Sequence, residues 1–459
     1  MVKIWFRRTK MGYIGLMTKT NKLNHNFQKS RSEILDKREQ KVRELLKHAY
    51  YNSEFYHEYY SSYGIRDGDI REIPINKIPS IDKKIFVENF NRIVTDKRVN
   101  LQHIERFLMK EKSRDKKYLD EYAIVHSSGS TGKPTCFIYD RNSWETILAA
   151  GFRACKGEVG LKEAISKSLR GLRVLYVAAT EGRFGGAMAA NSGIKGFGFR
   201  PLLLNINLSL ELWIDKINRF NPDVIIGYPS AIKILCDLIS DNKIKINVFR
   251  VITGGEPTTR EQRRYFQSVL HTDIFNIYGA SESIIMGLER DTYQGFYIFD
   301  DINYLEVEEE HTFITPLYNY SQPLIRYKLT DKLMSAERLE NEALPFSKIK
   351  EIMGRNEEIM WFINDKGEKD FLHPLIINTL EAEGIIGYQF VQRSNRMFEI
   401  RVELRQGADF NTTQNQLRKQ MDNILKEKKL LYLNYRIKQV NTIPINTSTG
   451  KSNVVIKEI

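Results

Sequence analysis

Cysteine is scarce in this chain. Only Cys136, Cys155 and Cys236 occur among 459 residues, too few and too scattered for a disulfide framework or a structural zinc site. Long hydrophobic runs are missing too: none approaches the roughly 18–20 apolar residues that cross a bilayer. The opening MVKIWFRRTKMGYIGLM is basic, but its apolar segment is short and broken, which argues against a cleavable signal peptide. The expected compartment is the cytoplasm. Internal repeats and low-complexity tracts are absent. So is a Walker P-loop, G-x-x-x-x-G-K-[ST]. GSTGKP comes near, but Gly129 and Gly132 stand too close together and Pro134 takes the Ser/Thr position; NTSTGKS (446–452) has Ile445 where the first glycine belongs.

What is present is enough to bury a large core. With 42% hydrophobic and 11% aromatic residues, a chain of this length divides into two or three domains. The formal charge of +13 suits polyanionic partners: nucleotides, coenzyme A, carrier phosphopantetheine, nucleic acid or an anionic membrane face. Much of that charge sits in helix-like segments such as RSEILDKREQKVRELLKHAY (31–50), interleaved with Glu and Asp as on a solvated helix face. KIWFRRTK at the N-terminus mixes aromatics with cations and is a candidate for peripheral membrane contact.

Residues 27–63 have helical periodicity, with Ile34, Val42, Leu45 and Leu46 on one stripe. From about 170 short apolar runs alternate with helical segments: LRVLYVA (172–178), FRPLLLN (199–205), PDVIIGY (222–228), VFRVITG (248–254) and DIFNIYG (273–279). Their spacing of about 25 residues is the rhythm of βαβ units in a parallel sheet. Between 295 and 328 the spacing tightens into an antiparallel meander. Beyond 353 the pattern predicts a hairpin turning at DKG (365–367), a helix over 374–383, strands over 387–393 and 396–404, a helix over 412–428 and a last strand over 432–440. The expected fold is therefore α/β: a large N-terminal domain, 1–353, of mostly parallel βαβ units plus a meander, and a small α+β domain, 354–459.

VHSSGSTGKPTCFIYD (125–140) places two glycines, hydroxyl side chains and Lys133 between two strand-like runs. Glycines let backbone N–H groups converge on an anion, and Ser127, Ser128, Ser130 and Thr131 add donors. Five further patches follow in order: TGGEP (253–257), YGASES (278–283), LIRYKLTDK (324–332) with its aspartate, GRNEE (354–358), and TSTGK (447–451) near the C-terminus. The first two come just after predicted parallel strands, where ligands bind in open α/β sheets.

Together, in this order, SSGSTGKP, GGEP, YGASE, RYKLTD, GRNEE and TSTGK resemble the adenylate-forming acyl/aryl-CoA synthetase superfamily over roughly residues 40–457. DVIIGYPS and EGRFGGAMAA are similar to its phenylacetate–CoA ligase branch, and NDKGEKDFLHP to the CapK-like relatives of capsule biosynthesis. The resemblance implies ATP and Mg²⁺, a small carboxylic acid, and an acceptor: a thiol of CoA or a carrier protein, or an amine or hydroxyl on a sugar; it implies no nucleic-acid partner. It implies a small domain that rotates about a hinge. Ser127, Ser128, Gly129, Ser130, Thr131, Gly132 and Lys133 would hold ATP phosphates. Gly255, Glu256 and Pro257 would border the adenine, with Tyr278 and Gly279 flanking it. Ser281 would meet the α-phosphate, Glu282 would hold Mg²⁺, Asp331 would bind the ribose and Arg355 would lie near the hinge. Lys451 would be the mobile catalytic cation. Phe184, Gly185, Tyr228 and Ser230 are candidates for the acyl pocket; Arg183 would meet an anionic substituent or solvent, and His126 and His373 have structural roles. Two departures matter: Thr330 stands where relatives have glycine before the aspartate, and FINDKGEKDFLHP replaces the glycine-rich segment that helps accept CoA. A different class of reading, a non-catalytic nucleotide- or polyanion-binding module, would rest on the charge alone.

Overall fold

The computed structural model describes residues 15–110, 116–126, 135–155, 171–178, 183, 185–194, 199–205, 210–290, 292, 295–309, 311–336, 341–355, 360–363, 369–372, 380, 382–427, 430–444 and 455–458. After a helical stretch over residues 15–28 come two helices, α1 (Arg31–Asn52) and α2 (Glu54–Ser62). Ser30 begins α1 with a reciprocal capping box: its hydroxyl accepts from the Glu33 N–H while Glu33 accepts from the Ser30 N–H at 2.9 Å. The predicted stripe Ile34, Val42, Leu45 and Leu46 is buried to within 1%. After α3 (Leu101–Lys110), strands β1 (Ala123–His126) and β2 (Cys136–Tyr139) pair antiparallel, and α4 (Arg141–Cys155) follows.

Next comes the βαβ series: β3 (Arg173–Ala178), α5 (Gly185–Ile194), β4 (Arg200–Asn205), α6 (Leu210–Phe220), β5 (Val224–Gly227), α7 (Pro229–Ser240), β6 (Arg250–Gly254), α8 (Arg260–Leu270) and β7 (Ile274–Ala280). The meander region holds β8 (Ser283–Glu289), β9 (Phe296–Ile298), β10 (Asn303–Val307), β11 (Thr312–Pro316), β12 (Tyr327–Leu329), β13 (Asp331–Ser335) and β14 (Ser347–Arg355). One nine-stranded sheet runs β13-β14-β9-β8-β7-β6-β5-β3-β4; β4, β3, β5, β6 and β7 are mutually parallel and the others antiparallel, while β10-β11-β12 form a separate antiparallel sheet. Side chains alternate across the parallel strands. In β3, Leu175 and Val177 join the core under α6, α7 and α8, while Val174, Tyr176 and Ala178 join the core on the α5 side.

The C-terminal residues build a smaller core of their own. A hairpin, β15 (Met360–Ile363) with β16 (Lys369–Leu372), precedes β17 (Ile385–Ser394), β18 (Met397–Leu404), α9 (Phe410–Glu427), β19 (Asn434–Val440) and β20 (Val455–Lys457). The sheet order is β19-β18-β17-β20, with β18–β19 and β17–β20 parallel. Phe390, Phe398, Ile400 and Val402 pack against Leu417 and Met421 of α9. Two expectations change here. In the predicted 374–383 helix, 374–379 and 381 lie outside the described residues, but 383–384 form a turn, with Gly384 at φ 82°. And 432–440 is not the last strand, because β20 follows and pairs with β17. The DKG turn and His373 lie outside the described residues.

Charge holds this smaller sheet as well. Glu399, whose side chain is 1% exposed, sits among Arg401 (2.8 Å), Arg436 (2.5 Å) and Arg393 (3.3 Å). Burial alone would raise its carboxyl, but the arginines hold it down to about 2. The folded value is below the unfolded one, so this stabilisation is complete above the ordinary value of 4.5 and fades as pH falls toward 2. Thermal melts across that window should show stability falling with pH, and Glu399→Gln should flatten that limb. An unchanged slope in the variant would refute the assignment.

Candidate functional site

Because β3, β5, β6 and β7 are parallel, their carboxyl ends form one edge. The order β4-β3-β5 means that the chain leaves β3 toward one side and returns on the other. Such a reversal opens a crevice at the strand ends. The segment following β3 carries Arg183 and Gly185, and the one following β5 carries Tyr228 and Ser230. Two predicted acyl-pocket segments thus flank the switch point.

Next along the same edge, β6 leads into Gly255 at φ 79° and Glu256. The positive φ is the left-handed region that glycine adopts without strain. Glu256 accepts from the Ser230 backbone N–H and from its hydroxyl, both at 3.0 Å. Pro257 and Thr258 then lead to Thr259, which caps α8 with Gln262.

The YGASES patch comes at the end of a parallel strand, β7, as expected; Ala280 pairs with Ser283, so Ser281 and Glu282 are the two tip residues of a β-hairpin and β8 runs back antiparallel. Gly279 makes this possible: a Cβ there would lie 1.9 Å from the Ile284 carbonyl oxygen. The Tyr139 hydroxyl donates to the Ser281 carbonyl at 2.6 Å, which fixes the tip against β2. Glu282 hydrogen-bonds Tyr327; burial first, then this carboxylate, push the Tyr327 phenol well above its usual range, so it stays protonated and donates. Neither Tyr139 nor Tyr327 stood out in the sequence as a support of the site, although Tyr327 lies inside RYKLTD. The arginine of that patch, Arg326, is structural: it is 9% exposed, pairs with Glu306 at 3.1 Å and donates to the Ile78 carbonyl.

Tyr278 and Asp331 meet. The tyrosine, 5% exposed, donates its hydroxyl to Asp331 Oδ2 at 3.1 Å. Asp331 opens β13 directly opposite Arg355, the last residue of β14. If Asp331 binds the ribose, as the sequence resemblance implies, Tyr278→Phe should weaken nucleotide binding modestly, by about 1 kcal/mol or several-fold in Kd, as read by titration with ATP. Asp331→Asn should cost more, since it removes the carboxylate itself. A larger loss for the tyrosine would reverse the assigned roles.

Arg183 is buried rather than at a solvent-facing anion site. It is 4% exposed, donates to the Lys116 carbonyl at 3.0 Å and lies 5.1 Å from the Phe107 ring centroid. Its backbone exchanges two bonds with His126: the Arg183 N–H donates to Nε2 at 2.9 Å, and the His126 N–H donates to the Arg183 carbonyl at 3.1 Å. His126 thus has the structural role expected, docking the end of β1 on the segment beside the switch point. Gly185 packs on Ile284, just past the hairpin tip. Residues Ser127, Ser128, Gly129, Ser130, Thr131, Gly132, Lys133, Phe184 and Lys451, and the side chain of Arg355, lie outside the described residues; the glycine loop is the connection between β1 and β2.

Among the described residues no three His, Cys, Asp or Glu side chains converge. Glu282 offers one hard carboxylate at the hairpin tip, which fits Mg²⁺ held mainly by nucleotide phosphates and water. Lys233 of α7 forms a buried ion pair with Glu403 of β18 at 2.6 Å, joining the large sheet to the small one. Beside it a cleft of 510 Å³ separates Glu261, Arg264 and Tyr265 of α8 from residues 382–386 and Arg405. No helix among the described residues is long and apolar enough to cross a membrane.

No family model matches the chain. It is similar to the phenylacetate–coenzyme A ligase of Pseudomonas putida, 26% identical over 348 residues and covering 70% of each chain. Protein CapK of Staphylococcus aureus is 23% identical over 445 residues, covering 93% of this chain and 90% of CapK. Indoleacetate–lysine synthetase of Pseudomonas savastanoi is 24% identical over 204 residues, covering 39% of this chain and 52% of that protein. Among solved structures, 2-hydroxyisobutyryl-CoA ligase in its postadenylation state aligns with a TM-score of 0.63 at 16% identity, covering 91% of this chain and 88% of that one.

Proposed function

We propose that the chain is an enzyme of the adenylate-forming ligase superfamily, on its phenylacetate–CoA ligase and CapK-like branch, a reading supported by its similarity to both, and that it activates a small carboxylic acid with ATP, releasing pyrophosphate, and passes the acyl group to a thiol. The observation that carries this reading is that Tyr278 of β7 bonds Asp331, while Glu256 and Glu282 stand just past the carboxyl ends of the neighbouring parallel strands β6 and β7. Attack of a carboxylate on an α-phosphate brings two anions together and builds charge on oxygen, so the site needs cations and oriented donors. Mg²⁺, when bound at Glu282, supplies Lewis-acid charge. The chain's own residues do the rest in this reading. Tyr278 and Asp331 orient the nucleoside, the 127–133 loop cradles phosphates, Phe184, Gly185, Tyr228 and Ser230 border the acid, and Lys451 belongs to a C-terminal unit that rotates about a hinge after Arg355, the end of β14.

A second acceptor is favoured by two observations. CapK matches nearly the whole chain, whereas the phenylacetate–CoA ligase match stops at 70%, and one relative is named for indoleacetate and lysine, an amino acid, rather than for coenzyme A. Transfer to an amine or hydroxyl, as in assembling a cell-surface polysaccharide, is the alternative to CoA or a carrier thiol. Pyrophosphate release with MgATP and a panel of aryl and short-chain acids tests the first half-reaction; at least one acid should give turnover. Adding CoA, then amine and sugar acceptors, and weighing the products separates the second. Absence of pyrophosphate release with every acid, together with no ATP binding, would contradict the reading.

A further inference from the structure

Helix α7 begins without a side-chain cap of its own. Tyr228 at the cap position makes no side-chain capping bond, and Pro229, the first helical residue, has no N–H to offer. The first free amide is that of Ser230, and it is taken by Glu256, a residue of the neighbouring strand connection. The same carboxylate also accepts a hydrogen bond from the Ser230 hydroxyl. Both oxygens are used, one for each donor. Charge-assisted bonds of this kind are short, directional and roughly twice as strong as neutral ones, and a carboxylate at a helix N-terminus is further favoured by the helix dipole.

The consequence is mechanical. Glu256 is two residues past β6, next to Gly254 and Gly255, in the segment expected to border adenine. Ser230 and Tyr228 form the first turn of α7, in the segment expected to border the acid. We propose that Glu256 is a positioning residue that couples the two substrate sites: it makes the 254–257 loop and the first turn of α7 move as one body, so that nucleotide and acid favour each other's binding. Because one ligand orders what the other needs ordered, the second binds to a prepared surface. The inference rests on the nucleotide lying against the 254–257 loop, as proposed above.

Hydrogen–deuterium exchange on the full chain, with and without MgATP, tests the two separately. In the wild type, MgATP should slow exchange both at 253–259 and at 228–234. In Glu256→Ala, exchange at 228–234 without ligand should rise about tenfold, as for loss of one charge-assisted bond, and MgATP protection should shrink to 253–259. Glu256→Gln keeps one oxygen for the Ser230 N–H and should restore most of the protection, and Ser230→Ala, which removes one bond of the two, should fall between. A far-ultraviolet circular dichroism spectrum matching wild type confirms that each variant folds. If MgATP protects 253–259 but not 228–234 in the wild type, or still reaches 228–234 in Glu256→Ala, the coupling is overturned. If MgATP protects neither segment, the nucleotide reading itself fails and the inference falls with it.

Discussion

Replacing Lys451 by alanine should slow adenylate formation by roughly 10²–10³, about 3–4 kcal/mol, the usual effect of losing one transition-state donor. Acyl transfer from a supplied acyl-adenylate should stay within a few-fold of wild type. The asymmetry follows from charge. Adenylation brings a carboxylate up to a polyphosphate and needs a cation at the developing oxyanion, whereas attack of a neutral nucleophile on the finished adenylate does not. A cation on a separately packed unit can be present for one step and absent from the next. In sequence Lys451 closely precedes β20, the strand that pairs with β17. Pyrophosphate exchange measures the first step and single-turnover consumption of adenylate the second. Equal losses in both, or no loss in the first, would remove Lys451 from the chemistry.

The largest expected effect on stability is far from the strand edge. Arg153 of α4 is 0% exposed and its Nη1 lies 2.6 Å from Asp301, whose side chain is 1% exposed. The guanidinium also sits 3.9 Å from the Phe299 ring centroid and donates to the Leu23 carbonyl. Asn26 adds a bond to the same aspartate at 2.7 Å. Arg153→Met keeps most of the volume but leaves a buried carboxylate without its cation, which typically costs about 3–5 kcal/mol. For a unit of this size that is a fall in Tm on the order of 5 °C. The double variant Arg153→Met, Asp301→Asn should recover part of the loss, because the uncompensated charge is gone. A single variant as stable as wild type would show that the aspartate finds another partner.

Much of the framework was legible because burial on both faces of a parallel sheet leaves short β-branched runs. All five runs between 172 and 279 became strands of the large sheet, and the helix stripe through Ile34 and Leu46 is core. What escaped was non-local. β20 has three residues and pairs with β17 in parallel across the chain, so nothing in its own sequence marks it. The helical periodicity before residue 383 gives way to a turn at Gly384, where a Cβ would lie 2.3 Å from that of Ala408, a tertiary contact. Nor does spacing show that the chain turns back within YGASES: the close approach of Gly279 to β8 goes with a hairpin whose tip is Ser281 and Glu282. Among site residues, the order of the patches pointed to Glu256, Tyr278 and Asp331. That Glu256 bonds Ser230 and Tyr278 bonds Asp331 depends on which strands are neighbours, and spacing alone does not encode that. Arg183 was misjudged for the same reason: its partners, Lys116 and Phe107, lie more than sixty residues earlier.

The central claim is that a nucleotide lies on the strand edge formed by β5, β6 and β7. Photolabelling the purified chain with 8-azido-ATP, with excess ATP as competitor, and sequencing the modified peptides tests it directly. The label should fall within 253–259 or 276–283 and disappear with competitor and in Asp331→Asn. Competed label confined to the basic helix over 410–427, with none on the strand edge, would contradict the account.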